Sequence, residues 1–249
     1  MFSISSLFKK SPAASAFESL KVDMHSHLIP GIDDGSPDVA SSIALLRGLK
    51  QLGFSKIITT PHVYRDLYPN DSRGIRAGLK VLTDAMQLAG IELEVEAAAE
   101  YFIDSHLETL IGEDDVLSFG AERYVLIEMS FVSASPNLED VIFGLTSRGY
   151  RPILAHPERY HYLMNKAGFY NRLADLGCLL QVNILSLVGY YGKSVQRWAE
   201  DLLKSGRVAF LGTDLHHRQH LTMLKDCRYD RRLAEIMSRY EFKNHELLR

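Results

Sequence analysis

The sequence predicts an α/β barrel, a closed ring of parallel strands wrapped by helices. Short apolar segments alternate with helix-length segments along the chain, which is typical of parallel strands joined by helices. The 249 residues suit one large domain, because such barrels commonly reach this size without dividing. Residues that can bind metals follow nearly every predicted strand, and a closed barrel brings all strand ends to one mouth.

Seven short apolar segments are predicted to form strands. They are Leu20–Met24, Lys56–Thr60, Glu92–Ala98, Tyr124–Met129, Pro152–Ala155, Leu179–Val182 and Val208–Leu211. Residues 1–18 are rich in Ser, Ala and Lys without a sustained period, so we predict a flexible N-terminal arm there. Residues 19–249 are predicted to form the folded domain.

Two of the segments between strands carry clear helix signals. Ser36 followed by Pro37 predicts an N-cap with proline at the first helical position. Apolar residues then recur at helical spacing until Gly53 ends the helix. The apolar spacing over residues 195–203 predicts another helix, which ends before Gly206.

Charge and cysteine content exclude several classes of function. The formal net charge is −3 and no Lys/Arg run is long enough to follow a phosphate backbone, so no nucleic-acid partner is predicted. No apolar run approaches the roughly 18 residues of a membrane span. Cys178 and Cys227 form no CxxC pair and begin no C-x5-R phosphate loop, so cysteine-based phosphatase chemistry is excluded. The two separate cysteines and the lack of a recognisable secretory signal together predict a cytoplasmic protein. The oligomeric state is left open.

Six of the seven predicted strands end in a residue that can bind a metal. The residues concerned are His25, His27, His62, Glu100, Glu128, His156, Asp214 and His216. Side chains at i and i+2 of a strand share a face, so His25 and His27 can chelate one ion, and Asp214 and His216 repeat that spacing. The predicted sixth strand ends instead in an amide pair, Gln-Val-Asn at 181–183.

This mixed set of imidazoles and carboxylates suits manganese, zinc or iron, whereas oxygen-only sites favour magnesium or calcium. The set exceeds the needs of one ion, so two or three ions are expected. A single strand-end histidine is more often a hydrogen-bonded structural residue than a ligand. Its recurrence at six strand ends favours a metal site. Most of the other histidines are expected to be solvated, with the last two left open: His106, His161, His245, His217 and His220.

The motifs also resemble a known family. Residues 23–35, Asp-Met-His-Ser-His-Leu-Ile-Pro-Gly-Ile-Asp-Asp-Gly, resemble the opening of the polymerase-and-histidinol-phosphatase (PHP) superfamily. The narrower resemblance is to the bacterial manganese-dependent protein-tyrosine phosphatases encoded with capsule and exopolysaccharide genes. It extends from about residue 20 to the C-terminus through Thr-Pro-His (60–62), Ala-Glu (99–100), Leu-Ile-Glu (126–128), Ala-His-Pro-Glu-Arg-Tyr (155–160), Gln-Val-Asn (181–183) and Thr-Asp-Leu-His (213–216).

The resemblance implies a distorted (β/α)7 TIM-like barrel of the PHP type with three metal ions. It implies manganese, with iron or zinc as alternatives, and it selects Asp34 rather than Asp33 as a ligand. The implied ligand sets are His25, His27 and Asp214 for one ion, Asp34, His62 and His216 for the second, and Glu128 and His156 for the third, with Glu100 bridging.

Two arginines are candidates for contact with the phosphoryl group. A guanidinium matches phosphoryl oxygens with a bidentate fork, which favours Arg159; the alternative is a surface arginine paired with Glu158 or a helix end. The family's last motif has Asn after its histidine and an arginine a few residues on. Here His217 follows and the arginine comes sooner, so Arg218 is the candidate for that role.

Three functions are considered. The first is a protein-tyrosine phosphatase that uses a metal-activated hydroxide, acting on a tyrosine kinase of polysaccharide export, as the resemblance implies. The second is a small-molecule phosphoesterase such as a histidinol-phosphate phosphatase, whose members do not usually carry the DDG and HPERY patterns. The third is a non-catalytic partner domain, against which the intact ligand set argues.

The segment after the second predicted strand is a candidate substrate loop. Tyr64 and Tyr68 are predicted to stack on a phosphotyrosine ring, and Arg65 to meet its phosphate or flanking acidic residues. The alternative is a partly solvated turn whose tyrosines cover helix ends. If this loop takes no part, Tyr160, Tyr190 and Tyr191 on neighbouring loops are the next candidates.

Overall fold

The computed structural model describes residues 15–248, in which parallel strands alternate with helices. The strands are β1 (Val22–Asp23), β2 (Lys56–Thr59), β3 (His62–Val63), β4 (Glu94–Ala97), β5 (Glu100–Phe102), β6 (Tyr124–Glu128), β7 (Arg151–Ala155), β8 (Leu179–Asn183) and β9 (Val208–Gly212). The helices are α1 (Val39–Leu52), α2 (Ser72–Leu88), α3 (Ser105–Glu113), α4 (Leu138–Ser147), α5 (Ala167–Asp175), α6 (Ile184–Leu187), α7 (Lys193–Lys204), α8 (Arg218–Cys227) and α9 (Arg231–Arg239), with 3-10 turns at Pro157–Arg159, His161–Leu163 and Lys243–Leu248.

Two kinks divide the strands between two sheets. One sheet has the order β1-β2-β4 and the other β3-β5-β6-β7-β8-β9. The chain passes from β2 to β3 through Thr60-Pro61 and from β4 to β5 through Ala98-Ala99, so each pair occupies one position in the ring. Backbone hydrogen bonds continue across the kinks, from Thr60 N to Ser26 O at 2.7 Å and from Glu100 N to Pro61 O at 3.0 Å. The seven predicted strands are therefore present, while the short continuations β3 and β5 beyond the kinks were not predicted.

The ring closes between β9 and β1 by a seam of irregular contacts. Ser26 and Leu215 form a parallel bridge, and Asp214 N donates to His25 O at 2.8 Å. Asp23 accepts two hydrogen bonds from Thr213, at 2.9 Å from its amide and 2.6 Å from its hydroxyl. This closure with few regular ladder bonds confirms a distorted (β/α)7 barrel.

A buried asparagine completes the seam from the C-terminal 3-10 turn. The Asn244 side chain accepts from Leu211 N at 3.1 Å and donates to Leu211 O at 2.7 Å and to Val22 O at 2.9 Å. It therefore replaces backbone pairing between β9 and β1.

The core follows from the alternation of side chains along each strand. Leu126 and Ile153 belong to a smaller buried cluster inside the ring. Val125, Ile127 and Leu154 belong to a larger cluster that includes the apolar faces of the helices. The strands are thus apolar on both faces, which explains their continuous hydrophobic runs.

The first helix begins later than predicted. Ser36 is not its N-cap, because its hydroxyl donates to Asp38 O at 3.1 Å and accepts from Ser42 Oγ at 2.8 Å. Asp38 caps the helix instead, since its carboxylate accepts from Ser41 N at 2.7 Å and α1 begins at Val39. The predicted end at Gly53 is confirmed, with a left-handed φ of 105°. The helix predicted over residues 195–203 is confirmed as α7.

Most of the predicted N-terminal arm, residues 1–14, lies outside the described residues. Its last residues pack on the domain: Phe17 is buried and stacks on Phe54, with ring centroids 5.8 Å apart. Ser15 donates through its hydroxyl to Leu52 O at 2.9 Å. In the part of the chain that the structure describes, no helix has the length and apolar character needed to cross a bilayer.

Candidate metal centre

The candidate ligands meet at the carboxyl ends of the strands, as a barrel requires. Each lies at or just after a strand end or kink, except Asp34, which comes from the loop between β1 and α1. They are His25, His27, Asp34, His62, Glu100, Glu128, His156, Asp214 and His216. Most are buried, while the Asp34 side chain is 54% exposed at the edge of the cluster.

The carboxylate of Glu100 lies at the centre of this cluster. Its Oε2 lies 3.1 Å from His25 Nε2, 3.4 Å from His27 Nε2 and 3.3 Å from His62 Nδ1. Its Oε1 lies 2.9 Å from His156 Nε2. One carboxylate thus contacts histidines from several strand ends, which is the position that a bridging ligand needs.

The other carboxylates lie near the remaining histidines. Asp214 Oδ1 lies 3.4 Å from His25 Nε2 and 3.3 Å from His216 Nδ1, and Asp34 Oδ1 lies 3.6 Å from His216 Nε2. Three overlapping groups have ligand atoms within 4.8 Å of one another. They are His27, Asp34, His62 and His216; His25, His27 and Glu100; and His62, Glu100 and Glu128.

The orientation of the histidine nitrogens favours binding of divalent ions over direct contact between the side chains. The Nε2 atoms of His25 and His27 lie only 3.3 Å apart. Their Nδ1 atoms are each 2.8 Å from an outer acceptor, Gln181 Oε1 for His25 and Asp33 Oδ2 for His27. A proton on Nδ1 therefore leaves the Nε2 lone pair facing the cluster, which is how acceptors behind metal-binding histidines orient their rings. The geometry fits a site for two or three ions.

Asp33 has a different part from its neighbour Asp34. Besides His27, it accepts from Gly35 N at 3.0 Å and from His62 N at 3.1 Å. Burial alone would raise the pKa of Asp33, but the charge and hydrogen bond of His27 lower it to about 2. Asp33 is therefore an anionic orienting group behind two candidate ligands.

The amides at the end of β8 form a second orienting chain. Gln181 Nε2 donates to Asn183 Oδ1 at 2.8 Å, and Asn183 Nδ2 donates to Asp214 Oδ2 at 2.7 Å. Because Gln181 also accepts from His25, the chain links two candidate ligands across the barrel. The sequence placed these amides at a strand end without assigning them this role.

Electrostatics make the cluster attractive to cations. Burial disfavours the imidazolium form of His25, but Glu100 and Asp214 outweigh it and raise its pKa to about 10. His62 behaves likewise, and Glu100 and Glu128 raise its pKa to about 10. Protons and metal ions therefore compete for the same atoms, and metal binding is expected to release protons.

Two candidate ligands have left-handed backbone conformations. His156 has φ 34° and Asp214 has φ 50°. Non-glycine residues in this region carry strain, which is common at functional sites.

A cleft of about 230 Å³ opens over the cluster. Beside the candidate ligands, it is lined by Phe131, Arg159, Tyr191, His217 and His220. Arg159 donates from Nη1 to Asp214 Oδ2 at 3.0 Å. Its guanidinium lies 4.5 Å from the ring centroids of both Phe131 and Tyr191. The site therefore combines a metal-binding cluster with one positioned guanidinium.

Comparison with known proteins agrees with this geometry. The family described as "Capsular polysaccharide synthesis, CpsB/CapC" matches residues 21–240. The chain belongs to the CpsB/CapC family. It is 29% identical over 196 residues to the tyrosine-protein phosphatase YwqE of Bacillus subtilis, covering 79% of this chain and 77% of that protein.

Two further CpsB/CapC comparisons extend the likeness. The tyrosine-protein phosphatase CpsB of Streptococcus pneumoniae is 24% identical over 201 residues, which cover 79% of this chain and 83% of that protein. A crystal structure from work on YwqE and CpsB, described as unique metal-dependent tyrosine phosphatases, superposes with a TM-score of 0.77. That match has 26% identity and covers 91% of this chain and 94% of the other.

Arg218 does not lie in the cleft, where the arginine of the family's last motif would be expected. It is exposed at the start of α8 and does not line the cleft, and its charge helps to lower the pKa of Asp38, after the hydrogen bonds from Ser41. His217 caps α8 by accepting from His220 N at 3.4 Å. His220, which the sequence left open, is buried and lines the cleft. The catalytic role of Arg218 stays a prediction.

The predicted substrate loop forms a compact turn beside the cleft. Tyr64 and Tyr68 exchange backbone hydrogen bonds of 3.0 and 2.7 Å. The Tyr64 ring stacks on Phe102 at 4.0 Å between centroids, and the Tyr68 ring stacks on His62 at 5.3 Å. Arg65 is exposed. None of the three predicted residues lines the cleft, so their substrate contacts stay a prediction; of the reserve candidates, Tyr191 does line it.

Both cysteines are free and buried, and burial raises each thiol pKa to about 12. Neither lines the cleft. Their placement agrees with the exclusion of cysteine-based chemistry, while the predicted cytoplasmic location stays a prediction.

Proposed function

We propose that this chain is a metal-dependent protein-tyrosine phosphatase. The observation that carries the proposal is the cluster of histidines and carboxylates around Glu100, with Arg159 beside it in one cleft. The relatives described as metal-dependent tyrosine phosphatases support the same activity. Phosphate-ester hydrolysis needs activated water and stabilised charge on phosphorus, and this site offers positions for both.

The nine candidate ligands would hold two or three divalent ions, with manganese proposed as the physiological ion. Such ions, when bound, lower the pKa of water and neutralise charge on phosphoryl oxygens. Within the protein, Gln181 and Asp33 hold the histidine rings in the orientation that binding needs. The carboxylates supply the negative field that attracts the ions.

Arg159 is proposed to hold the phosphoryl group. Its Nη1 is bound to Asp214, and contacts with two aromatic rings restrict its movement, which leaves its other N–H groups for the phosphoryl oxygens. A guanidinium fork fits two phosphoryl oxygens at once. The tyrosine leaving group has a pKa of about 10, so its departure demands less protonation than a serine alkoxide.

The proposed substrate is a phosphotyrosine protein, in particular a bacterial tyrosine kinase that regulates capsule or exopolysaccharide synthesis. The family name and the relatives support a link to capsule synthesis. A histidinol-phosphate phosphatase on the same barrel is the competing function.

One assay separates these functions. The purified chain, loaded with manganese, is expected to hydrolyse a phosphotyrosine peptide and to leave histidinol phosphate and a matched phosphoserine peptide nearly untouched. Activity should disappear after chelation and return with manganese. Preference for histidinol phosphate would contradict the proposal.

The conservative replacement Arg159→Lys tests the guanidinium fork. We expect phosphotyrosine kcat/KM to fall by about 10²-fold, because an ammonium cannot bind two oxygens in one plane. The matched control is Arg172→Lys, an exposed arginine on α5 that pairs with Glu139. Wild-type kinetics for Arg159→Lys would show that Arg159 only fills the wall of the cleft.

A further inference from the structure

A second cleft of about 270 Å³ adjoins the metal cleft. The two share Phe131, Arg159 and Tyr191, and the second cleft adds His161 and Val195. We call it the outer cleft. The three shared residues form a wall with the metal centre on one side and the outer cleft on the other.

The wall combines one guanidinium, which lines both clefts, with two aromatic rings. The Arg159 guanidinium lies over the rings of Phe131 and Tyr191, 4.5 Å from each ring centroid. Its Nη1 edge points to Asp214 in the metal cleft. Beside Arg159, the outer cleft is lined by the rings of Phe131 and Tyr191 and by Val195, with the exposed imidazole of His161 at its rim.

Exposure of apolar groups near the wall points the same way. Phe131 is 46% exposed, and the next residue, Val132, is 86% exposed on the loop that follows β6. Adjacent exposed apolar residues beside a cleft commonly mark an interaction surface. Because Phe131 also lines the metal cleft, we take the substrate as the partner of this surface.

We propose that the outer cleft binds an apolar side chain that lies next to the phosphotyrosine in the protein substrate. The inference rests on the proposed function, which fixes the phosphoryl group at the metal centre. An extended peptide advances about 3.4 Å per residue, so neighbours of the phosphotyrosine reach past the wall. An acidic neighbour is less suited, because Phe131, Tyr191 and Val195 supply most of the lining and Arg159 Nη1 is already bound to Asp214.

Matched phosphotyrosine peptides test this selection. They are identical except at the two positions on either side of the phosphotyrosine, where Leu, Ser or Glu is placed one position at a time. At one of these positions, kcat/KM is expected to be about 10-fold higher with Leu than with Ser or Glu. Equal values, or a preference for Glu, would overturn the inference.

Two variants connect the preference to the outer cleft. Val195→Thr places a hydroxyl in the lining at nearly constant volume, and it is expected to lower the Leu-to-Ser ratio by ~5-fold. His161→Leu makes the rim apolar and is expected to raise the ratio. Because Val195 is buried, thermal unfolding is measured beside the kinetics, and His161→Leu tests the cleft independently if Val195→Thr fails to fold. Val81→Thr, on the exposed face of α2, is the matched control with an unchanged ratio.

These measurements distinguish failure of the proposed function from failure of the inference about the outer cleft. If the manganese-loaded chain hydrolyses none of the phosphotyrosine peptides, the proposed function is wrong and the inference falls with it. If all the peptides are hydrolysed at the same rate, or both variants keep the wild-type ratio, the function stands and the outer cleft does not select the neighbouring residue.

Discussion

Replacing Glu100 with Gln is expected to lower phosphotyrosine hydrolysis by about 10³-fold, equivalent to about 4 kcal/mol. The change keeps the size of the side chain but removes the charge from a group that contacts four histidines. We therefore expect the wild type to bind two or three manganese ions per chain and the variant to bind fewer. Metal content by elemental analysis and kcat/KM for a phosphotyrosine peptide measure the two effects.

The control for this experiment is Glu96→Gln. Glu96 lies on β4 and accepts from Lys56 at 2.8 Å, at the start of β2 and away from the metal centre. Both variants are expected to keep the far-ultraviolet circular dichroism of the wild type. A Glu100→Gln protein with unchanged metal content and rate would show that this carboxylate is not a ligand.

Replacing Asn244 with Ala is expected to destabilise the barrel by about 3 kcal/mol. The side chain bonds the amide and carbonyl of Leu211 and the carbonyl of Val22, and Ala would leave these buried groups without partners. For a chain of this size, the loss corresponds to roughly 10 °C in Tm. Thermal and denaturant unfolding measure the change.

Asn171→Ala is the matched control for Asn244. Asn171 is exposed on α5, where Ala is the better helix former, so its replacement should leave stability unchanged or slightly higher. An equally small effect for Asn244→Ala would mean that water or neighbouring groups satisfy the β9–β1 seam.

The sequence was informative where function and local pattern coincide. His25, Glu100 and Asp214 could be predicted to meet at one mouth, because each follows a predicted strand and the carboxyl ends of barrel strands lie on one face. The i, i+2 spacing of the His25–His27 and Asp214–His216 pairs supported the same prediction. The family pattern selected Asp34 rather than Asp33 as the candidate ligand. In the structure, Asp33 binds Nδ1 of His27, on the side of the ring away from the cluster. Composition alone offered no such distinction.

Features that depend on contacts between residues distant along the chain could not be predicted from the sequence. Phe131 and Tyr191 lie far from Arg159 along the chain, and only the folded barrel places both rings against its guanidinium. Tyr64 satisfied the same residue-type argument, yet Phe102 occupies its ring face. The first helix was predicted to begin too early because the bonds of the Ser36 hydroxyl to Asp38 O and Ser42 Oγ form only in the folded loop.

The left-handed backbone at His156 and Asp214 has an evolutionary consequence. Each such residue costs on the order of 1–3 kcal/mol, and glycine would occupy the same conformation without that cost. A lineage selected for resistance to heat alone, with no demand for catalysis, is therefore expected to acquire Gly or Asn at these positions early. Thermal adaptation of an active lineage would instead have to come from elsewhere in the barrel, while these two positions stay fixed.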